Sequence, residues 1–319
     1  MNAIKPFASN HNSIAQPAIK TIVMDMDGTL LDASNRISRH TRDVLIRLEK
    51  QGVRLVLASG RSYTRLLGYA RELRMDEFGG MLIEIDGVAL YNVATGERKK
   101  FKTMSPEEIH GVFSWLTEQN AESQAMFDDG LFDYFPPEIY ELKKKLRKEQ
   151  NLPDDFPWTA GPWNWLTDFR DGYPRITYIR SADEITAPIN KIQIMQEEQP
   201  LIELYNRLQE NFGAAFSIYR TTPRQLEILP LGFSKGEAIK RMMKQEGWTA
   251  DEVIAFGDGE NDCSMFDVVS RSYAMGNAKP FVQAQAHAIT GSNTEDGIAS
   301  ALEQLETENP GIFDTLSMR

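Results

Sequence analysis

The chain turns on TIVMDMDGT, residues 21–29. Thr21–Met24 is short, apolar and β-branched, the composition of a buried strand, and Gly28-Thr29 ends it. Residues i and i+2 of extended chain point the same way, so Asp25 and Asp27 are expected to face the space beyond the strand's carboxyl end. Open α/β sheets bind their ligands there. A solvated turn has the same Asp-x-Asp-Gly composition, so the rest of the chain must decide.

Working outward, the rhythm is that of a parallel sheet. Ser38 starts a helix whose stripe is Val44, Leu45 and Leu48 and which Gly52 ends. Arg54–Ala58 reads as a strand, Ser62–Arg74 as a helix and Met81–Ile85 as a third strand. Right-handed crossovers follow from that order. After Asp86-Gly87 the pattern changes to hairpins and helices. Thr95-Gly96 and Asp128-Asp129-Gly130 are hairpin turns. Ser105-Pro106-Glu107-Glu108 is a capping box with proline at the first helical position. A charged helix follows Pro136-Pro137 through Glu149, and residues 151–175 have no clear period. Further strands are expected at Lys191–Met195, Ala214–Tyr219 and Gln225–Leu229, with a helix over Pro200–Asn211. Strand and helix then alternate again: helix Ser234–Glu246, strand Val253–Phe256, helix Asp262–Val269, strand Tyr273–Met275, helix Asp296–Leu305.

The expected fold is therefore α/β, a Rossmann-like parallel-sheet core carrying an inserted α+β cap domain. The core is assigned to 19–91 and 223–305 and the cap to 92–222. Residues 1–18 are expected to be a flexible tail and 306–319 a C-terminal tail.

Composition narrows the chemistry. With 35 basic and 46 acidic residues among 319, the net charge is −11. Such a chain repels nucleic-acid backbones, so no nucleic-acid partner is expected. Cys263 is the single cysteine. It excludes an intramolecular disulfide and a thiolate-rich zinc site and reads as a small helix residue. No run of about 20 apolar residues exists, so no membrane span is expected, and the N-terminal stretch lacks a signal-like apolar segment. The expected location is the cytoplasm.

Three further segments fall at strand ends or helix starts of the same sheet. Ala58-Ser59-Gly60-Arg61 offers a hydroxyl and a backbone N–H at a helix start, an anion cradle. Ser234-Lys235-Gly236 puts a lysine at the positive end of a helix dipole, where a bound anion would account for it. Gly257-Asp258-Gly259-Glu260-Asn261-Asp262 sets carboxylates and an amide on a glycine-rich turn, suited to a hard cation with oxygen ligands. Taken alone, the Ser59 and Lys235 segments read better as an ordinary turn and an exposed lysine, and the third reads as well as an acidic surface loop; their convergence carries the argument. Asp25, Asp27, Asp258 and Asp262 would crowd one site, and two unit charges about 4 Å apart repel by about 4 kcal/mol at an effective dielectric near 20. A cation is needed, and Mg²⁺ suits carboxylates with phosphate. Ser59, Lys235 and Asn261 supply donors for phosphate oxygens. There is no Walker-type loop and no complete dinucleotide-binding fingerprint, and His11, His40, His110 and His287 are scattered.

These segments resemble the haloacid dehalogenase-like hydrolase superfamily, in its Cof-type branch of sugar-phosphatase-like enzymes with a large cap. The resemblance rests on DMDGTLLD (25–32), SGR (59–61), SKG (234–236) and GDGEND (257–262), with AMGNA (274–278) and EDGI (295–298) in support. It covers about residues 20–100 and 222–305. Asp86-Gly87 departs from the Asn-Gly that this branch commonly carries. The resemblance implies that Asp25 is a nucleophile forming an aspartyl-phosphate and that Asp27 is the general acid and then base. It implies Mg²⁺ held by Asp25, the backbone carbonyl of Asp27 and Asp258, with Asp262 supporting or joining it. Phosphate would meet Met26 through its backbone N–H, together with Ser59, Gly60, Lys235 and Asn261. Thr29 would order the loop after the nucleophile, and the cap would close over the site. Asp128, Tyr134, Lys191 and Arg220 read as surface or packing residues of the cap. Trp158, Trp163 and Trp165 read as its core or surface.

The leading expectation is an Mg²⁺-dependent phosphatase of small phosphorylated metabolites, sugar or cofactor phosphates, acting as a monomer or homodimer. The alternatives are a phosphomutase of the same superfamily and a noncatalytic phosphate-sensing or phospho-accepting regulator.

Overall fold

A computed structural model of the chain describes residues 17–161 and 166–315. The chain divides into two compact units, one built from the chain up to Lys99 and again from Ser234, the other from Lys100–Phe233.

The first unit is built on a mostly parallel α/β sheet. Its first half runs β1 (Thr21–Asp25), α1 (Arg39–Lys50), β2 (Arg54–Ala58), α2 (Leu67–Glu72), α3 (Met75–Phe78), β3 (Met81–Glu84), β4 (Ala89–Asn92) and β5 (Arg98–Lys100). Strand β1 is buried along its whole length, because it pairs in parallel with β2 on one side and with Val253–Gly257 on the other. A strand covered on both faces is largely apolar, as Ile22–Met24 is. Helix α1 opens as expected on Ser38, whose side chain accepts from the Thr41 N–H. The helix expected over Ser62–Arg74 is broken instead. A short 3₁₀ turn at Tyr63–Arg65 leads into α2, and Arg74 takes a left-handed conformation (φ 62°) before α3.

The second unit holds a six-stranded sheet. Its elements are α4 (Pro106–Glu118), β6 (Glu122–Phe127), β7 (Gly130–Tyr134), α5 (Pro137–Glu149), β8 (Arg175–Tyr178), β9 (Lys191–Met195), α6 (Glu198–Phe212), β10 (Phe216–Thr222) and β11 (Gln225–Pro230). Strand order is β10-β11-β9-β6-β7-β8, antiparallel except where β7 meets β8. The Ser105 capping box and proline that open α4 are present as read from sequence. Period-2 alternation sorts the faces: Ile192 and Ile194 of β9 join Ile228, Val112 and Leu201 in one apolar core. The alternate residues Lys191, Gln193, Gln124 and Glu227 are buried polar groups. Deeper on this side, the buried Lys143 ammonium bonds Glu122 and the Trp158 carbonyl. Asp128, Tyr134, Lys191 and Arg220 are all engaged within the unit, by Lys100, the Thr117 carbonyl, Glu227 and Glu198. Trp158 is half-buried against Tyr140; Trp163 and Trp165 lie outside the described residues.

From Ser234 the first unit resumes with α7 (Lys235–Glu246), β12 (Val253–Gly257), α8 (Cys263–Phe266), β13 (Arg271–Ala274), α9 (Pro280–Gln285), β14 (Ala288–Ile289) and α10 (Gly297–Glu308). Its sheet order is β14-β13-β12-β1-β2-β3-β4-β5. Two boundaries differ from the expected cap of 92–222. The β4 hairpin belongs to the first unit because β4 pairs with β3. All of β10 and β11 belongs to the second, where β11 pairs with β9. The C-terminal tail expected at 306–319 is not one over its described part. Helix α10 runs to Glu308, and Ile312 and Phe313 are buried in the core, with the Ile19 N–H donating to the Ile312 carbonyl at 2.7 Å. Ala18, assigned to the N-terminal tail, is buried as well. Among the described residues no helix is long and apolar enough to cross a membrane.

Candidate active site

All the motif residues lie in the first unit, at the carboxyl ends of β1, β2, β3 and β12 and at the start of α7. Asp25 is the last residue of β1 and is buried. The chain then turns sharply: the Leu30 N–H reaches back to the Asp25 carbonyl at 3.3 Å and the Leu31 N–H to the Met26 carbonyl at 2.9 Å. Gly28 sits in this turn with φ 84°, and a Cβ there would come within 2.4 Å of Asp258 Oδ2. Glycine is therefore required on two counts, a left-handed backbone and the close approach of a carboxylate. The Met26 side chain is fully buried in the core, which leaves only its backbone for a ligand.

Lys235 gathers the carboxylates. Its ammonium, 1 % exposed, donates to Asp25 Oδ1 at 2.5 Å and to Asp262 Oδ1 at 2.7 Å, and lies 3.9 Å from Asp86 Oδ1. Burial alone would pull the lysine pKa down; Asp25, Asp262 and Asp86 more than offset it, so the group is held charged. Gly236 is needed behind it, since a Cβ would meet the Ser264 carbonyl at 1.9 Å. Asp262 spends both oxygens, one on Lys235 and the other on the N–H groups of Asp258 and Gly259, both at 2.9 Å. Asp258 takes the Thr29 hydroxyl on Oδ1 at 2.8 Å.

One carboxylate oxygen from each of Asp25, Asp258 and Asp262 lies within 4.8 Å of the others. Among the described residues, Asp25 Oδ2 and Asp258 Oδ2 take no hydrogen bond. The electrostatics register the crowding. Burial first, then Asp262 and Asp258, push the Asp25 carboxyl well above the usual range against the pull of Lys235. Burial and then Asp262 push Asp258 up to about 7. An all-oxygen set short of positive charge fits a hard divalent cation.

Asp27 is separated from this trio. It is exposed, and Arg61 grips its carboxylate with two donors, Nε to Oδ2 at 3.0 Å and Nη2 to Oδ1. Ser59 is buried; its hydroxyl accepts from the Arg61 N–H at 3.2 Å. Gly60 follows it, half-buried, at the turn. Asn261 donates from Nδ2 to Asp86 Oδ1 at 3.0 Å.

Four contributors were not singled out from sequence. In the sequence Arg61 reads only as part of an anion cradle, although its bidentate hold on Asp27 is a strong, oriented pair. Asn277 donates to the Gly28 carbonyl at 2.8 Å and Asn293 to the Leu31 carbonyl at 2.7 Å, pinning the loop after Asp25 from the other side. Asp86 stands out in the sequence only as a departure from Asn-Gly. The asparagine of AMGNA was the sole local signal for the second of these.

The family model for haloacid dehalogenase-like hydrolases matches residues 22–302. The chain belongs to the haloacid dehalogenase-like hydrolase family. This hydrolase, a phosphatase, is 25% identical over 309 residues to Phosphatase YwpJ of Bacillus subtilis, covering 90% of this chain and 100% of the relative. It is 24% identical over 283 residues to Pyridoxal phosphate phosphatase YbhA of Escherichia coli, with 88% and 96% covered. A solved haloacid dehalogenase-like hydrolase from Bacteroides thetaiotaomicron superposes with a TM-score of 0.68 at 29% identity, over 90% of this chain and 99% of that one. The likeness spans both halves of the first unit and the unit inserted between them.

Proposed function

We propose that this haloacid dehalogenase-like hydrolase removes phosphate from small phosphorylated metabolites, sugar or cofactor phosphates, through an aspartyl-phosphate on Asp25 with Mg²⁺ as cofactor. The observation that carries the reading is the buried Asp25 carboxylate, tethered to Lys235 within an acidic trio whose remaining oxygens suit a hard cation. The substrate class draws support from relatives such as the pyridoxal phosphate phosphatase.

In this reading an Asp25 oxygen attacks phosphorus, the ester oxygen leaves, and Asp27 gives it a proton. Asp27 then takes a proton from water, which cleaves the acyl-phosphate and frees phosphate and Asp25. Arg61 orients the Asp27 carboxyl group by donating to its oxygens. Lys235 sets the attacking carboxylate and offsets charge on the phosphoryl oxygens, and Ser59, Gly60, Asn261 and the Met26 N–H receive the phosphate. Asp25 and Asp258 would hold Mg²⁺ with the Asp27 carbonyl, and Asp262 would brace the loop. Bound there, the ion supplies Lewis-acid charge stabilisation.

The test is phosphate release from a panel of phosphorylated metabolites and p-nitrophenyl phosphate, with Mg²⁺ or EDTA. Asp25→Asn is expected to lower kcat by on the order of 10⁴ or more with an unchanged circular dichroism spectrum. Metal-independent release, or release that survives Asp25→Asn, would refute the reading.

A further inference from the structure

The segment Ile85-Asp86-Gly87 is built at a cost. Ile85 and Asp86 both carry left-handed backbone angles (φ 52° and 47°). Each such residue costs on the order of 1–3 kcal/mol, and Ile85 is β-branched, the least tolerant type. The turn is locked by three backbone hydrogen bonds: Asp86 N–H to the Ser59 carbonyl (3.0 Å), Ile85 N–H to the Arg61 carbonyl (3.2 Å), and Ser59 N–H to the Ile83 carbonyl (2.9 Å). Gly87 packs so closely on α7 that a Cβ would lie 2.3 Å from the Ser234 carbonyl. The result is a fixed, 2 % exposed Asp86 carboxyl. Its Oδ1 accepts from Asn261 Nδ2, and its Oδ2 is buried with no partner among the described residues.

A carboxylate only accepts, whereas an amide side chain can present either end. With Asp86 opposite it, Asn261 must turn its NH₂ toward Asp86, and one of the two N–H bonds is left to donate elsewhere. We infer that Asp86 is a positioning residue that fixes the Asn261 amide as a phosphate donor. This deepens the reading above and rests on its assignment of Asn261.

The comparison that isolates positioning is Asp86→Asn against Asp86→Ala. Both remove the charge, and only the first keeps an acceptor for Asn261. The readout is orthophosphate affinity by calorimetry with Mg²⁺ present, which needs no turnover. Asp86→Asn is expected to bind orthophosphate at least as tightly as wild type and Asp86→Ala about tenfold more weakly than Asp86→Asn, about one hydrogen bond's worth. Placed in an Asn261→Ala background, the two substitutions are expected to give equal affinities, because residue 86 acts through Asn261. A difference that persists there, no difference in the wild-type background, or no orthophosphate binding by wild type overturns the proposal. Orthophosphate binding that follows the expected pattern, without phosphate release from any ester, sinks the phosphatase mechanism and leaves the role of Asp86 standing.

Discussion

Asp258→Asn separates the electrostatic cost of the acidic trio from its use. In the folded chain burial and Asp262 raise the Asp258 carboxyl from 3.8 to about 7. An acid that ionises later in the folded state than in the unfolded one takes up a proton on folding. Stability is therefore undiminished below pH 3.8, falls as pH rises to about 7, and levels off above. At about 1.4 kcal/mol per pH unit the whole interval is worth about 4 kcal/mol. Asp258 is not fully buried, and water reaching it cuts this to about 2 kcal/mol. An asparagine keeps the Oδ1 acceptor for the Thr29 hydroxyl and carries no charge. In EDTA, urea unfolding is expected to show the variant more stable than wild type by about 2 kcal/mol at pH 8, with the advantage fading toward pH 4. With Mg²⁺ added, wild type gains stability by ligand linkage while the variant does not. A variant less stable than wild type in EDTA at pH 8, or one that Mg²⁺ stabilises equally, would refute this account of the trio.

Glu49 is 2 % exposed, neither of its oxygens has a partner among the described residues, and burial lifts it to about 8 from 4.5. Its folded pKa is raised, so stability is lost between pH 4.5 and 8, and urea unfolding of Glu49→Gln is expected to be flatter across that window than wild type. Arg61→Lys replaces a two-pronged grip on Asp27 with a point charge; kcat is expected to fall about 10–100-fold with an unchanged melting temperature, measured by p-nitrophenyl phosphate turnover and differential scanning fluorimetry. Lys143→Met removes a cation bonded to Glu122 while Asp133 stays buried nearby. Loss of a buried partner costs about 3–5 kcal/mol, so stability in urea at pH 8 is expected to fall by that order and by less at pH 5, below the Glu122 carboxyl that burial raises to about 7.

The four motif segments were legible because each is local: a strand of known direction, then a turn whose residues project in known ways. Lys235 beside Asp25 followed from the topology, since parallel strands deliver their carboxyl ends to one edge. What stayed hidden was non-local or marginal. The Asn261–Asp86 contact joins residues 175 positions apart, and no periodicity encodes it. The break at Arg74 depends on a left-handed residue that is not glycine. Strand β8 was missed because Arg175–Tyr178 is a mostly exposed edge, with little apolar alternation to announce it. Ile312 and Phe313 were assigned to a tail because two apolar residues after a helix have no period to read.

The sheet order has a consequence for the newborn chain. Central strand β1 needs β12 as a neighbour, and the ribosome delivers β12 more than two hundred residues later. The Lys100–Phe233 unit is continuous and has all its strands once Pro230 has emerged. Domains fold as their segments leave the exit tunnel, so the inserted unit matures first. Asp25 waits through most of synthesis for Lys235, Asp258 and Asp262. Phosphate chemistry is therefore the last property this polypeptide acquires, and a truncated product ending before residue 253 leaves β1 without β12, an unfinished, aggregation-prone sheet edge.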